Sequence, residues 1–318
     1  MDNNISMFGE YKFYEDGKEI YCSKNLLTKF GKRYLTQYLA GQSNTNLKDI
    51  ALGVGSTAAT VNDTQLGFEF YKSPVSMSSI DIQTSSTTGV STYGVVYKTT
   101  VPVDVAGIIN EVGLFPAVSL SSTDYASNSI STFEDNQSWT DSTGAYATTT
   151  TSPFPKIGTY YLSIGALTSQ SKEYFYNFNI DVSGYSALDS LTLAYYQSDT
   201  NLDYVFVRMY DSNNRYYEIR YPGDLSTGYK VKSLTLNNLY SSGFGSGTPD
   251  QTSIVKISCG VKAKASGATT VLFDGMRIND EDSFRTDYGM ISRSVLANPI
   301  TKSLGKQMII EYRIGLSF

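Results

Sequence analysis

Residues Leu47 to Phe70 read LKDIALGVGSTAATVNDTQLGFEF and pass from an apolar run, through small residues, to a polar re-entry. Ile50-Ala51-Leu52-Gly53 has the length of a short buried strand. Val54-Gly55-Ser56-Thr57 then supplies a turn in which glycine permits close backbone approach. Asp63-Thr64-Gln65-Leu66-Gly67 opens a new apolar face. A second phrase, GIINEVGLFP from Gly107 to Pro116, predicts a strand with Ile109, Glu111, Gly113 and Phe115 on one side. Its other side carries Ile108, Asn110, Val112 and Leu114.

Outward from this pair, FGEYKFYEDGKEIYC (8–22) alternates apolar and polar residues around Asp16-Gly17, a strong hairpin signal. From Lys24 to Ala40 the period changes. Leu26, Leu27, Phe30, Tyr34, Leu35, Tyr38 and Leu39 share one helical face, with Ser23 placed to cap the start and Gly41 to close the end. Val90 to Val105 predicts a strand whose Pro102 belongs at an edge or an end, because proline donates no ladder hydrogen bond. Gln307 to Ile314 predicts a strand near the C-terminus.

Near Ala117 the character changes, and Ser119 to Thr132 has the composition of a linker. Beyond it lie eight predicted strands: Tyr160–Ile164, Tyr174–Val182, Leu188–Tyr196, Tyr204–Tyr210, Arg215–Tyr221, Tyr229–Leu236, Ile254–Val261 and Thr269–Ile278. Short strands at this spacing, with turns such as Ser212-Asn213-Asn214, argue for a β-sandwich or jelly roll.

The phrases Ala51-Leu52-Gly53-Val54-Gly55-Ser56-Thr57, Asp63-Thr64-Gln65-Leu66-Gly67 and Glu111-Val112-Gly113-Leu114-Phe115 resemble a recurrent pattern in structural proteins of tailed-bacteriophage virions. There a helix precedes the first phrase, and a segment like Pro299-Ile300-Thr301-Lys302 follows soon after the last. Here residues 116 to 299 intervene, so the expected fold is mainly β and discontinuous. A small α+β anchoring domain, one helix on a sheet, spans 1–119 and 287–318, and a jelly-roll domain is inserted at 120–286. The resemblance implies a non-enzymatic particle component at tail, collar, baseplate, fibre or capsid surface, assembled in the host cytoplasm. Its partners would be other virion proteins and further copies of itself. The expected subunit contact is the small-residue stretch Gly53, Gly55, Ser56, Thr57, Ala58 and Ala59 with Asp63 and Gln65, together with the N-terminal hairpin.

The insert carries a second resemblance. LDSLTLAYY (188–196), VFVRMYD (205–211) and VLFDGMRI (271–278) look like strands of carbohydrate-binding jelly rolls. That implies sugar contact by exposed aromatics, with Trp139, Tyr195, Tyr196, Tyr216 and Tyr217 as candidate platforms for a host-surface glycan. A stand-alone carbohydrate-binding adhesin is the alternative, and a glycan-degrading enzyme a third.

Composition narrows the chemistry. The chain has 318 residues, 26 Tyr against one Trp, and 17% charged residues where about 25% is usual. A net charge of −5 without a Lys/Arg-rich run offers no field for phosphates, so nucleic acid is not an expected partner. Histidine is absent, which removes the commonest general base and zinc ligand. Cys22 and Cys259 are too isolated for a disulfide framework or a metal cluster and are expected to be reduced, small buried residues. Carboxylate pairs of the glycosidase kind would have to come from Glu134 with Asp135 or from Asp280, Glu281 and Asp282, all in polar runs typical of solvated loops. No catalytic residue, cofactor or identified metal ligand is therefore expected. A structural calcium remains open, with no EF-hand spacing to place it. The N-terminus lacks the pattern of a signal peptide, and no apolar run is long enough for a membrane span.

Overall fold

The computed structural model describes residues 6–41, 47–84, 91–116, 128–135, 138–240, 243–279 and 289–317. The chain divides into two compact units, Met1–Leu120 with Phe284–Phe318, and Ser121–Ser283. The first unit contains β1 (Ser6–Glu15), β2 (Lys18–Lys24), β3 (Leu26–Leu27), α1 (Lys29–Leu39), β4 (Leu47–Gly53), β5 (Glu69–Pro74), β6 (Ser76–Thr84), β7 (Ser91–Val101) and β8 (Gly107–Pro116). The second holds β9 (Asn128–Ser131), β10 (Trp139–Thr140), β11 (Thr148–Thr150), β12 (Tyr161–Ala166), β13 (Ser171–Ile180), β14 (Ser190–Gln197), β15 (Leu202–Asp211), β16 (Tyr216–Pro222), β17 (Gly228–Thr235), α2 (Leu236–Tyr240), β18 (Ile254–Ala263) and β19 (Thr269–Asn279). The chain then returns to the first unit as β20 (Ser292–Lys302) and β21 (Met308–Ser317).

In the first unit Asp16 and Gly17 turn the β1–β2 hairpin with φ of 51° and 75°, the double positive φ of a two-residue turn that suits strand twist. β21 lies between β1 and β7, pairing from Glu15↔Met308 to Ser6↔Ser317 on one side. The order β2-β1-β21-β7-β6 makes one sheet, and β3-β20-β8-β4-β5 a second. Tyr11, Phe13, Ile310 and Tyr312 from the first sheet and Ile50, Leu52, Val112 and Leu114 from the second share one core. The expected helix on a single sheet is thus enlarged to a two-sheet sandwich with a helix.

The helix starts at Lys29, later than the periodicity alone suggested. Ser23 belongs to β2, pairing with Tyr11, and its hydroxyl meets that of Ser294 at 2.6 Å. Thr28 is the cap: its Oγ1 accepts from the Gly31 amide at 2.9 Å. Phe30, Tyr34 and Leu35 pack on the core, and a Cβ on Gly31 would drive into the Ile291 carbonyl, so glycine lets the helix touch the chain before β20. Gly41, at φ 69°, follows the helix end as expected.

In the second unit all eight expected strands appear, as β12 to β19, each within a few residues of its predicted limits. Part of the expected linker is strand β9, which pairs with β19; residues 119–127 lie outside the described ones. The sheets run β10-β13-β18-β15-β16 and β11-β12-β19-β14-β17, antiparallel throughout. Leu162, Ile164, Leu191, Leu193 and Tyr195 face Val205, Val207, Met209, Cys259 and Val261 across the core. Both cysteines are free, but only Cys259 is buried; Cys22 is exposed, on the hairpin.

Candidate functional site

The small-residue stretch expected at a subunit contact does other work. Gly53 and Gly55 are buried, and a Cβ on either would enter the space of the Glu111 carboxylate, 2.5 Å from Oε1 in the case of Gly55. Glu111 Oε1 accepts from the amides of Gly55 (2.9 Å) and Phe68 (3.0 Å). Its Oε2 accepts from the Gly67 amide (3.0 Å) and from Arg293 Nε (3.0 Å) and Nη2 (2.7 Å). Arg293 also reaches Asp63 Oδ2 at 2.6 Å and the Thr57 carbonyl at 3.1 Å. Burial alone would push Asp63 up, but hydrogen bonds from Thr60 and the Arg293 charge hold it below the usual carboxylate range. Gly53 and Gly55 are therefore removed from the contact surface. Ser56, Thr57 and Ala58 are exposed, Ala59, Asp63 and Gln65 half-buried.

The five candidate sugar platforms do not converge. Trp139 and Tyr195 are core residues, with the Trp139 ring 5.0 Å from Phe133 and 5.2 Å from Tyr176. Tyr217 packs edge-on against Tyr240 at 5.0 Å, under the sheet. Tyr196 pairs with Tyr229 and Leu272 on the other sheet. Period-two alternation sent Trp139, Tyr195 and Tyr217 inward, which rules them out as platforms. Tyr216 is left.

Tyr216 lies on a face that the sequence reading did not assemble. On β15, Val205, Val207 and Met209 enter the core, so Tyr204, Phe206, Arg208 and Tyr210 point outward. Register sets Phe206, Arg208 and Tyr210 beside Arg220, Glu218 and Tyr216 of β16, and beside Gly260, Ser258 and Lys256 of β18. β13 adds Glu173 and Phe175 opposite Gly260 and Ser258. Gly260 is required where it stands, because any Cβ would strike the Phe206 ring.

Glu218, 2% exposed at its side chain, is the hub. Its Oε2 accepts from Arg208 Nε at 2.6 Å and its Oε1 from Arg220 Nε at 2.5 Å. Arg208 donates through Nη1 to both oxygens of Glu173 at 3.0 Å, and its guanidinium lies 4.7 Å from the Phe206 ring and 4.8 Å from Tyr216. Burial would lower the Arg208 pKa, but Glu218 and its other neighbours raise it, so it stays charged. The Arg220 guanidinium lies over two rings, Phe244 at 3.6 Å and Tyr204 at 4.6 Å. Phe244, 45% exposed, is held there by a bridge in which the Tyr216 amide donates to the Ser246 carbonyl at 3.2 Å and the Ser246 amide donates to the Tyr216 carbonyl at 2.9 Å. Gly245 fits against the Tyr216 carbonyl. Aromatic and charged residues at every second position of β15 and β16 were the signal in the sequence; Phe244, in a Gly/Ser loop, gave none.

The carboxylate candidates are tied into loops. Glu134 accepts from the Thr159 and Tyr160 amides and the Thr159 hydroxyl, and Asp135 from the Ser138 hydroxyl at 2.6 Å. Asp280, Glu281 and Asp282 lie outside the described residues. Among the described residues no group of three or more His, Cys, Asp or Glu could hold a metal, and no helix is long and apolar enough to cross a membrane.

No family model and no curated protein matches the sequence. Among solved structures, the chain is similar to an agarase at 13% identity, over 49% of this chain and 25% of that one, with a TM-score of 0.36. The chain thus spans about a quarter of the agarase's length. It is also similar to a family 11 carbohydrate-binding module from Clostridium thermocellum in complex with a β-1,3-1,4-mixed-linked tetrasaccharide, at 14% identity over 48% of this chain and 95% of that one, TM-score 0.35. The enzymatically active domain of tailspike protein 4 from bacteriophage CBA120 is a third, at 10% identity over 50% of this chain and 20% of that one, TM-score 0.27.

Proposed function

We propose that the protein is a non-enzymatic component of a bacteriophage particle that binds host-surface glycan through the outward face of its β13-β18-β15-β16 sheet. The observation that carries this reading is the Arg220 cluster: Tyr204 and the exposed Phe244 lie against a guanidinium held by buried Glu218. Rings and rigid hydrogen-bonding groups side by side match a pyranose, which has an apolar face and a polar rim. For the particle role, support comes from the first unit, where the phrases that resemble virion proteins are tied together at Glu111 and Arg293. Its contacts are with neighbouring virion subunits, including copies of this chain.

The test is a glycan array probed with the full chain and with Tyr204→Ala and Phe244→Ala, beside labelling of intact virions with an antibody to this protein. Glycan binding that either variant weakens about tenfold supports the assignment. Binding unchanged in both variants, or unlabelled particles, refutes the corresponding half.

A further inference from the structure

Resting on the glycan-binding reading, we propose that the sugar taken by this face is acidic, a polysaccharide bearing uronate carboxylates, and that Arg220 holds the carboxylate. The outward face carries Arg208, Arg220, Lys256 and Lys262 against two carboxylates, Glu173 and Glu218. It is locally cationic on a chain whose net charge is −5. Both carboxylates are already engaged, Glu218 by two arginines and Glu173 by Arg208 and the Ser258 hydroxyl. Lys262 donates to the Ser169 carbonyl at 2.7 Å, and Lys256 to Asn214 Oδ1 at 3.2 Å.

Arg220 differs from Arg208 in what it has left to give. Arg208 donates through both Nε and Nη1. Arg220 hydrogen-bonds through Nε alone, and among the described residues neither Nη1 nor Nη2 has a hydrogen-bond partner. Two rings, Phe244 at 3.6 Å and Tyr204 at 4.6 Å, and the Nε bond to Glu218 restrict how its guanidinium can turn. The Nη1/Nη2 edge is then a pre-oriented fork, the geometry that takes a planar carboxylate in a bidentate manner. A uronate is the sugar that suits both features at once: its ring can lie on Phe244 while its carboxylate meets the fork.

Affinity electrophoresis and titration calorimetry on the full chain test this with polygalacturonate, its fully methyl-esterified form, a neutral β-glucan and dextran sulfate. Polygalacturonate should bind at least tenfold more tightly than its methyl ester and than dextran sulfate, and the preference should vanish in Arg220→Gln. Arg220→Lys, which keeps the charge without the fork, should recover less than half of the lost binding free energy. The fold of each variant is checked by the fluorescence of Trp139, buried in the same unit. Equal binding of the acid and its ester, an unaffected Arg220→Gln, or dextran sulfate matching polygalacturonate would each overturn the proposal. A neutral glucan bound without any acidic preference would leave glycan binding standing and remove only the uronate; no carbohydrate bound at all would remove both.

Discussion

Glu111→Gln preserves side-chain volume while removing charge at a point where every neighbour is a donor. The amides of Gly55, Gly67 and Phe68 and two nitrogens of Arg293 converge on the carboxylate, which is 0% exposed. Glutamine offers a single acceptor oxygen. Placed on the Gly55 and Phe68 side, it turns its NH₂ on the Gly67 amide and Arg293; placed the other way, on the Gly55 and Phe68 amides. Either way at least two buried donors face a donor, at roughly 1–3 kcal/mol each. Breaking a buried ion pair costs about 3–5 kcal/mol, and Arg293 keeps Asp63 as a partner, so the lower part of that range applies. A loss of about 3–4 kcal/mol in a unit of roughly 150 residues lowers its melting temperature by about 8–15 °C. The two units can be read separately, because the single Trp, Trp139, lies in the other one. In the variant, calorimetry and far-UV circular dichroism should show an early transition while the Trp139 emission midpoint stays put. A shift under about 3 °C, or a Trp139 midpoint that falls in step, would refute the role assigned to Glu111.

A second expectation concerns pH. Burial pushes Asp274 up to about 8, against hydrogen bonds to its Oδ2 from Tyr229 and the Lys156 and Ile157 amides, while Oδ1 has no hydrogen-bond partner among the described residues. Its folded pKa lies above an unfolded value near 4, so its contribution is complete below about pH 4 and is lost as pH rises toward 8. The urea midpoint of Trp139 emission should therefore fall between pH 5 and pH 8.5, and Asp274→Asn should flatten that fall; equal slopes in both proteins would contradict this assignment. A third contrasts two neighbours in one loop. Ala58→Trp adds bulk at an exposed position and should leave the melting temperature within about 1 °C while blocking incorporation into particles, whereas Gly55→Ala collides with Glu111 and should destabilise by about 1–3 kcal/mol in the isolated protein. Normal incorporation of Ala58→Trp would remove the subunit contact from this loop.

Alternation and turn chemistry are local, and they were legible in the sequence: the Asp16-Gly17 hairpin and the strands β12 to β19 follow from side chains within a few positions of one another. Helix periodicity was legible as well, but its start was not, because Ser23 and Thr28 are both competent caps and only pairing of β2 with β1 removes Ser23 from the choice. The sandwich of the first unit depended on β21 entering between β1 and β7, a pairing across most of the chain that no local pattern specifies. The glycines of Leu47–Phe70 were visible as small residues; that their space belongs to Glu111 became apparent only when β8 brought its carboxylate beneath them and β20 supplied Arg293. On the candidate face, sequence alternation marks Tyr204, Phe206, Arg208 and Tyr210 as sharing a side, yet which side is core and which strand lies alongside are set by register. Phe244 reaches Arg220 through a loop clasped to β16 by the Tyr216–Ser246 bridge. Strands and turns are determined by the covalent neighbourhood, whereas a site that joins β13, β15, β16, β18 and a loop exists only once long-range hydrogen bonding fixes their order, since its energy resides in contacts between residues far apart in the chain.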